Sequence, residues 1–288
     1  MKAVVYGEII WDIYPDEYVI GGAPFNFSAH LSHLGNEVYL LSAVGRDKLG
    51  EDAMLHLKKH GVRGDLIQSN GFPTGACIVT LDENKIPHYE VKTNVAYDHI
   101  AADDGLIEKI KSLDADVFYF NTLIQRSECS KNTLFAILDS CSFGEIFCDI
   151  NIRENCYDKE SVLLCLSKCT ILRISEEEAH FLWDLGITGR PQDGKSFTYA
   201  IAEAYPNIKY IAYTLGKKGS EVLDTRTGQL YYSGKPEDVP VVSTVGAGDC
   251  YGAAICDGIM SGKSIPDTIK IATERSSIVV SHKEAIPF

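Results

Sequence analysis

"EIFCDINIRENCYDKESVLLCLSKCTILRI", Glu145 to Ile174, decides the fold class. Two short apolar runs, "EIFCDI" and "CTILRI", flank residues 158–167, where apolar side chains recur at helical spacing. Runs that are apolar on both faces suit strands buried within a sheet, and two of them joined through a helix are expected to lie parallel. The alternation continues outward in both directions. "KAVVY", "VYLLSAV", "DVFYFN" and "YIAYTL" read as further buried strands, with 48–60, 127–140 and 175–184 as helices. The chain is therefore expected to be α/β, with a mostly parallel central sheet and helices on both faces.

One segment breaks the rhythm. "GACIVTLDENKIPHYEVKTNVAYD", Gly75 to Asp98, holds two β-rich runs around a turn-forming "DENK" with no helix between, which predicts a hairpin. Together with a short extended piece around Ile13 to Ile20 it would form a small β-lid over the ligand edge of the sheet, from segments about 12–21 and 73–98. There is no Pro/Gly/Ser linker, repeat or low-complexity segment, so residues 1–288 read as one domain with an appended lid.

Composition narrows the partners. A chain of 288 residues with 45% hydrophobic content can build a sizeable core. Its net charge of -13 argues against nucleic acid and against an anionic membrane surface, since neither attracts an acidic protein. The nine cysteines are odd in number and form no CxxC, and "MKAVVYGEII" has no long apolar stretch, so reduced thiols in a cytoplasmic protein are expected. Cys165 and Cys169 could reach one metal from a helix, but no second ligand pair lies near them, and core packing is the expectation.

Two phosphate motifs fail on context. "GRPQDGKS", Gly189 to Ser196, matches the phosphate-loop pattern letter for letter, yet it follows the charged helical "EEEAHFLWDLGIT" where that loop needs a buried strand. "YGEII" after the first strand carries a single glycine, so the dinucleotide fingerprint G-x-G-x-x-G is missing. "STVGAGD" is different, because it precedes "CYGAAICDGIMSG", a run suited to a buried helix. Backbone N–H groups of Gly246, Ala247 and Gly248 at that helix N-terminus can face an anion, and the helix dipole favours it by about 0.3 to 2 kcal/mol. Asp249 there could cap the helix. Alternatively, it could accept a proton from a hydroxyl that attacks a phosphate held by the glycines.

The second signal is "GGAPFNFSAHLSHLG", Gly21 to Gly35. Pro24, Phe27, Leu31 and Leu34 describe an amphipathic helix ended by Gly35. Gly21, Gly22 and Asn26 exceed that need: two glycines allow a ligand close to the backbone, and Asn26 offers a hydroxyl both a donor and an acceptor.

With "GGAPFN" and "STVGAGD" at its two ends and "VGRDKLGE", "LKKHGV", "ISEEEA" and "TLGKKGS" in order between, the chain resembles the PfkB or ribokinase-like carbohydrate kinases nearly end to end. "GEIIWDIYP", "NVAYDHI", "TLIQRS" and "DINIRENCY" look most like the fructokinase branch. The resemblance implies a ribokinase-like three-layer α/β sandwich with a β-lid, ATP and Mg²⁺ as cosubstrates, and phosphorylation of a sugar hydroxymethyl. It implies that Asp249 is the base and that Gly246, Ala247 and Gly248 form the anion hole. Asp12, Gly22 and Asn26 would hold sugar hydroxyls, with Arg153 in "DINIR" contacting phosphate or sugar. Thr214, Gly216 and Gly219 would line the nucleotide site, unless "TLGKKGS" is a plain strand-turn-strand. Glu178 matches the acid of the family's N-x-x-E motif, which influences Mg²⁺, but the motif's asparagine is Ser175 here, which weakens that role.

Fructose is the expected sugar. The rivals are another acceptor, such as ribose or 2-keto-3-deoxygluconate, whose carboxylate would want Arg153, and a non-catalytic sugar or nucleotide sensor, which would not need Asp249. A homodimer formed through the lid is a further expectation. Many relatives bind a monovalent cation beside the anion hole. Where they usually carry Asp and Gly-Ala, this chain has Ser243 and Glu284-Ala285, so little dependence on K⁺ is expected.

Overall fold

Both runs of the opening stretch are strands, Glu145–Asp149 and Ile171–Ser175, paired in parallel with Phe147 opposite Ile171. Between them lies the expected helix, Lys159–Lys168, started by Asp158, whose carboxylate accepts from the Ser161 N–H at 2.7 Å. The structure, a computed structural model, describes residues 1–81, 87–153, 156–189, 196–236 and 239–288.

In chain order the elements begin with β1 (Lys2–Tyr6), β2 (Ile10–Ile13), β3 (Tyr18–Gly21), α1 (Ala23–His33), β4 (Glu37–Leu41), β5 (Ala43–Gly45) and α2 (Lys48–Lys59). Next come β6 (Gln68–Asn70), β7 (Ala76–Leu81), β8 (Pro87–Val91), α3 (Asp104–Leu113), β9 (Val117–Asn121) and α4 (Glu128–Ser140). The pair already described is β10 and β11, joined by α5, and α6 (Glu176–Asp184), α7 (Phe197–Ala204), β12 (Tyr210–Thr214), β13 (Ser220–Asp224) and β14 (Gln229–Tyr232) follow. The last two helices are α8 (Ala247–Met260) and α9 (Ile265–Val280).

Eight strands form the central sheet in the order β14-β13-β12-β11-β10-β9-β1-β4. Every pairing from β12 to β4 is parallel, whereas β13 and β14 are antiparallel additions at one edge. Side chains alternate across the sheet, so Val4, Tyr6, Phe118 and Leu172 pack on one face with α4, α5, α6 and α7. Ala3, Val5, Tyr119 and Ile171 pack on the other with α1, α2 and α8. The result is three layers. Cys165 and Cys169 lie in the first of these cores beside Cys148, as packing predicted, and all nine cysteines are free.

A second, four-stranded sheet has the order β3-β2-β7-β8. Its β7 and β8 are the expected hairpin, with Val79 opposite Tyr89, while the "DENK" turn lies outside the described residues. "VYLLSAV" is one strand in the sequence reading but two in the structure: β4 stays in the central sheet, and β5 leaves it to pair with β6. Most of "GRPQDGKS", including Lys195, also lies outside the described residues, but helices precede and follow it, α6 ending at Asp184 and α7 starting at Phe197.

Candidate active site

Parallel strands end together, and in an open α/β sheet the crevice beyond their C-terminal ends is where ligands bind. Asn121, Asp149, Ser175 and Thr214 close β9, β10, β11 and β12 at that edge. Helices α1 and α8 arrive there with their N-termini, and neither has a capping side chain; Gly22 and Gly246 hold the two cap positions. Orphan backbone N–H groups at such a start are available to an anion.

Both cap glycines are required by their surroundings. Gly246 has φ 79°, and a Cβ there would stand 2.6 Å from the Cβ of Ala285. Gly22 has φ 100°, and its Cβ would stand 2.8 Å from the Glu8 carbonyl oxygen. The sequence reading kept Gly22 for a ligand's approach; the backbone of Glu8 approaches it as well.

Asp249 is not the helix cap. It sits in the first turn of α8, half-buried, and the Asn26 Nδ2 donates to its Oδ2 at 2.8 Å. Burial pushes its carboxyl above the ordinary range, opposed by the Asn26 hydrogen bond and by the charges of Arg173 and Arg153. Asn26 Oδ1 is buried without a protein partner, an acceptor left over for a ligand hydroxyl.

Asp12 on β2 and Gly21 on β3 stand side by side, 3.8 Å separating the Asp12 Oδ2 from where a Gly21 Cβ would be. Burial raises the Asp12 carboxyl to about 6, with Arg153 pulling it back. Arg153 itself is exposed and donates to the Ile152 carbonyl at 3.1 Å, yet its charge acts on Asp12, Glu8 and Asp249 together. The structure thus brings Asp12, Asn26, Arg153 and Asp249 to one place.

The other expected residues divide. Thr214 Oγ1 accepts from Arg173 Nη2 at 3.0 Å. Gly216 is exposed with open space around it, whereas a Cβ on Gly219 would collide with the Gly234 carbonyl oxygen, so Gly219 serves the turn between β12 and β13. Ser175 and Glu178 form a capping box at the start of α6: Ser175 Oγ accepts from the Glu178 N–H, and Glu178 Oε2 accepts from the Ser175 N–H at 2.8 Å. Glu178 Oε1 accepts from the Ile152 N–H. With both oxygens so committed, and with no group of three or more potential metal ligands among the described residues, the donor set does not fit a metal held by the protein alone.

Four residues escaped the sequence reading: Glu8, Asn121, Asp149 and Arg173. Glu8, just past β1 and 1% exposed, accepts two hydrogen bonds from Asn121 Nδ2, at 3.2 and 3.0 Å. Burial raises its carboxyl to about 7, and Asp249 adds to that while Asn121 and Arg153 oppose it. Asp149 is equally buried and bonded by Arg173 Nη1 at 3.0 Å. Glu8, Asn121 and Asp149 shared one signal, a polar residue at or just past the C-terminal end of an apolar run, whereas Arg173 lies inside its run.

Residues 3–288 match the family described as pfkB family carbohydrate kinase. Probable fructokinase-3 of Arabidopsis thaliana is 26% identical over an alignment of 283 residues that covers 93% of this chain and 79% of that protein. Among solved structures, fructokinase from Vibrio cholerae O395 in its fructose, ADP and calcium ion bound form has a TM-score of 0.82 at 21% identity, over 99% of this chain and 94% of that one. The 2-dehydro-3-deoxygluconokinase from Thermotoga maritima has a TM-score of 0.84 at 21% identity, over 99% and 95% of the two chains. Their names differ in the sugar, and likeness at this level fixes the fold alone. No helix among the described residues is long and apolar enough to cross a membrane. With the match running almost from end to end on a ribokinase-like fold, the chain belongs to the pfkB family of carbohydrate kinases and is an ATP-dependent sugar kinase.

Proposed function

We propose that the enzyme transfers the γ-phosphoryl group of ATP to the hydroxymethyl of a neutral hexose, fructose giving fructose 6-phosphate. The observation that carries this reading is the Asp249 carboxylate, held by Asn26 beside the uncapped start of α8. Asp249 takes the proton of the attacking hydroxyl, the sugar oxygen bonds to the γ-phosphorus, and the bond from that phosphorus to the bridging oxygen breaks to release ADP. The N–H groups of Gly246 and Gly248 receive the charge on the transferring group, joined by Ala247 once its N–H leaves the Thr244 carbonyl, to which it donates at 3.3 Å. Thr214 and Gly216 border the nucleotide, and Mg²⁺, if it came bound to the nucleotide, would supply counter-charge there without a ligand set from the protein.

The neutral acceptor is supported by charge. Glu8, Asp12 and Asp249 present three carboxyl groups around the acceptor side, against one exposed Arg153. A sugar acid would add its own carboxylate to a group whose carboxyls are already held above their ordinary range. The sheet β3-β2-β7-β8 carries Asp12 and acts as the lid that excludes water from the transfer; pairing of two copies through it would be read from the solution mass.

The test is a sugar panel in a coupled ADP assay. Fructose is expected to give the highest kcat/KM, above ribose and 2-keto-3-deoxygluconate. A preference for the sugar acid would mean that Arg153 outweighs the carboxyl groups. Calorimetric binding of sugar and ATP without ADP release would replace the kinase with a sensor.

A further inference from the structure

Arg173 belongs to no motif, and strand alternation alone decides where it goes. On β11 it shares a face with Ile171, which packs toward α8, while Leu172 and Ile174 pack toward the opposite layer. A guanidinium is thereby carried under the start of α8, its side chain 12% exposed. Nη1 donates to Asp149 Oδ1 at 3.0 Å and lies 3.7 Å from Glu178 Oε2, and Nη2 donates to Thr214 Oγ1 at 3.0 Å. Its Nε is buried without a partner. A Cβ on Gly248 would stand 2.7 Å from Nη2 and 3.0 Å from Cζ, so the second glycine of "VGAGD" makes room for Arg173 below as well as for an anion above.

Carboxyl groups crowd this place. Around Asp249 stand Glu8 beyond β1, Tyr119 on β9, Asp149 on β10, Glu178 on α6 and the neighbouring Cys250 thiol, with Arg153 and Arg173 as the two cations. Arg153 is exposed and so screened by solvent; Arg173 is not. Arginine does not lose its proton in proteins, so the buried charge stays at every pH the enzyme meets.

We propose that Arg173 is a positioning residue for phosphoryl transfer: from beneath Gly248 it fixes the first turn of α8 and supplies the positive charge that keeps the Asp249 carboxylate fit to act as a base. The proposal rests on the reading of Asp249 given above. Arg173 exchanges no proton and forms no covalent bond; the hydroxyl proton still goes to Asp249.

The experiment measures kcat and KM for fructose and ATP from pH 5 to pH 9 in wild type, Arg173→Gln and Arg173→Lys. Removing an opposite charge raises a carboxyl, and a base works only above its own titration. The acid limb of kcat/KM in Arg173→Gln is therefore expected to move up by about one pH unit, within the roughly 1 to 3 units an adjacent cation accounts for. Its rate is expected to drop by up to about tenfold at pH 6 and to recover at pH 9, while Arg173→Lys keeps the limb near the wild-type position. A loss by the same factor at every pH would overturn the proposal, because a merely structural arginine would act that way. Should Arg173→Gln not fold, Gly248→Ala displaces the guanidinium without removing it, and an unmoved acid limb there would overturn the proposal equally. Asp249→Asn, run alongside, separates the two ideas: substantial turnover in that variant sinks the base assignment itself, whereas an unmoved limb in an enzyme that still needs Asp249 sinks only the role of Arg173.

Discussion

Replacing Glu8 by Gln should stabilise the folded protein above neutral pH and do little below pH 5. Glu8 is 1% exposed, and its carboxyl is raised from an ordinary value of 4.5 to about 7, first by burial. A carboxyl raised in the folded state binds its proton more tightly there than in the unfolded chain. The stability it contributes is complete below about 4.5 and is lost as the pH rises through about 7. At roughly 1.36 kcal/mol per pH unit, the loss in the wild type at pH 8.5 comes to about 3 kcal/mol. Arg153 and relaxation of the cluster reduce what is realised, and about 1 to 3 kcal/mol is expected from the substitution, which keeps an oxygen for Asn121 to bond. Urea unfolding of both proteins at pH 5 and pH 8.5 measures it: the midpoints should nearly coincide at pH 5 and separate at pH 8.5, with the Glu8→Gln variant unfolding at the higher urea concentration. A difference that is independent of pH, or a variant less stable at pH 8.5, would refute the account of Glu8 as a buried, reluctantly charged acid.

Asp249→Asn should leave sugar and ATP binding measurable by calorimetry and lower kcat by about 10²- to 10⁴-fold, the usual contribution of a positioned base; retention of half the turnover would reduce Asp249 to a structural residue. Gly246→Ala forces a side chain into φ 79° and against Ala285. It should cost about 2 to 4 kcal/mol of stability, seen as a thermal midpoint several degrees lower, and an unchanged midpoint would contradict the packing described. The rate should change less than tenfold between K⁺ and a bulky organic cation at equal ionic strength. The Ser243 hydroxyl is neutral and accepts from the Val245 N–H at 3.2 Å, and Glu284 is exposed, so a tenfold stimulation would show a working cation site despite both.

How far the site was legible depended on whether a residue announced itself locally. Asp249, Gly246 and Asn26 did, because glycines ahead of a helix followed by an acid or an amide carry their meaning within a few positions. Strands β1, β9, β10, β11 and β12 did too, since burial on both faces leaves an unbroken apolar run. Arg173 and Glu8 did not. An arginine inside "CTILRI" and an acid after "KAVVY" look like ordinary surface charges until alternation and the neighbouring strands aim them inward. Strands β13 and β14 escaped for a related reason: their antiparallel edge position leaves them only partly apolar. Gly219 and Glu178 were legible as special residues, but their employment in a tight turn and a capping box depends on partners beyond their own motifs, Gly234 and Ile152.

The hydrogen bond between Asn26 and Asp249 joins residues 223 positions apart. During synthesis at about 5 to 20 residues per second, the amide waits about ten seconds or more before its partner is made. A chain that stops before residue 249 holds Asn26 without its partner. With Asp249 as the proposed base, phosphoryl transfer would begin only once α8 docks onto α1, and a nascent chain would not waste ATP on water.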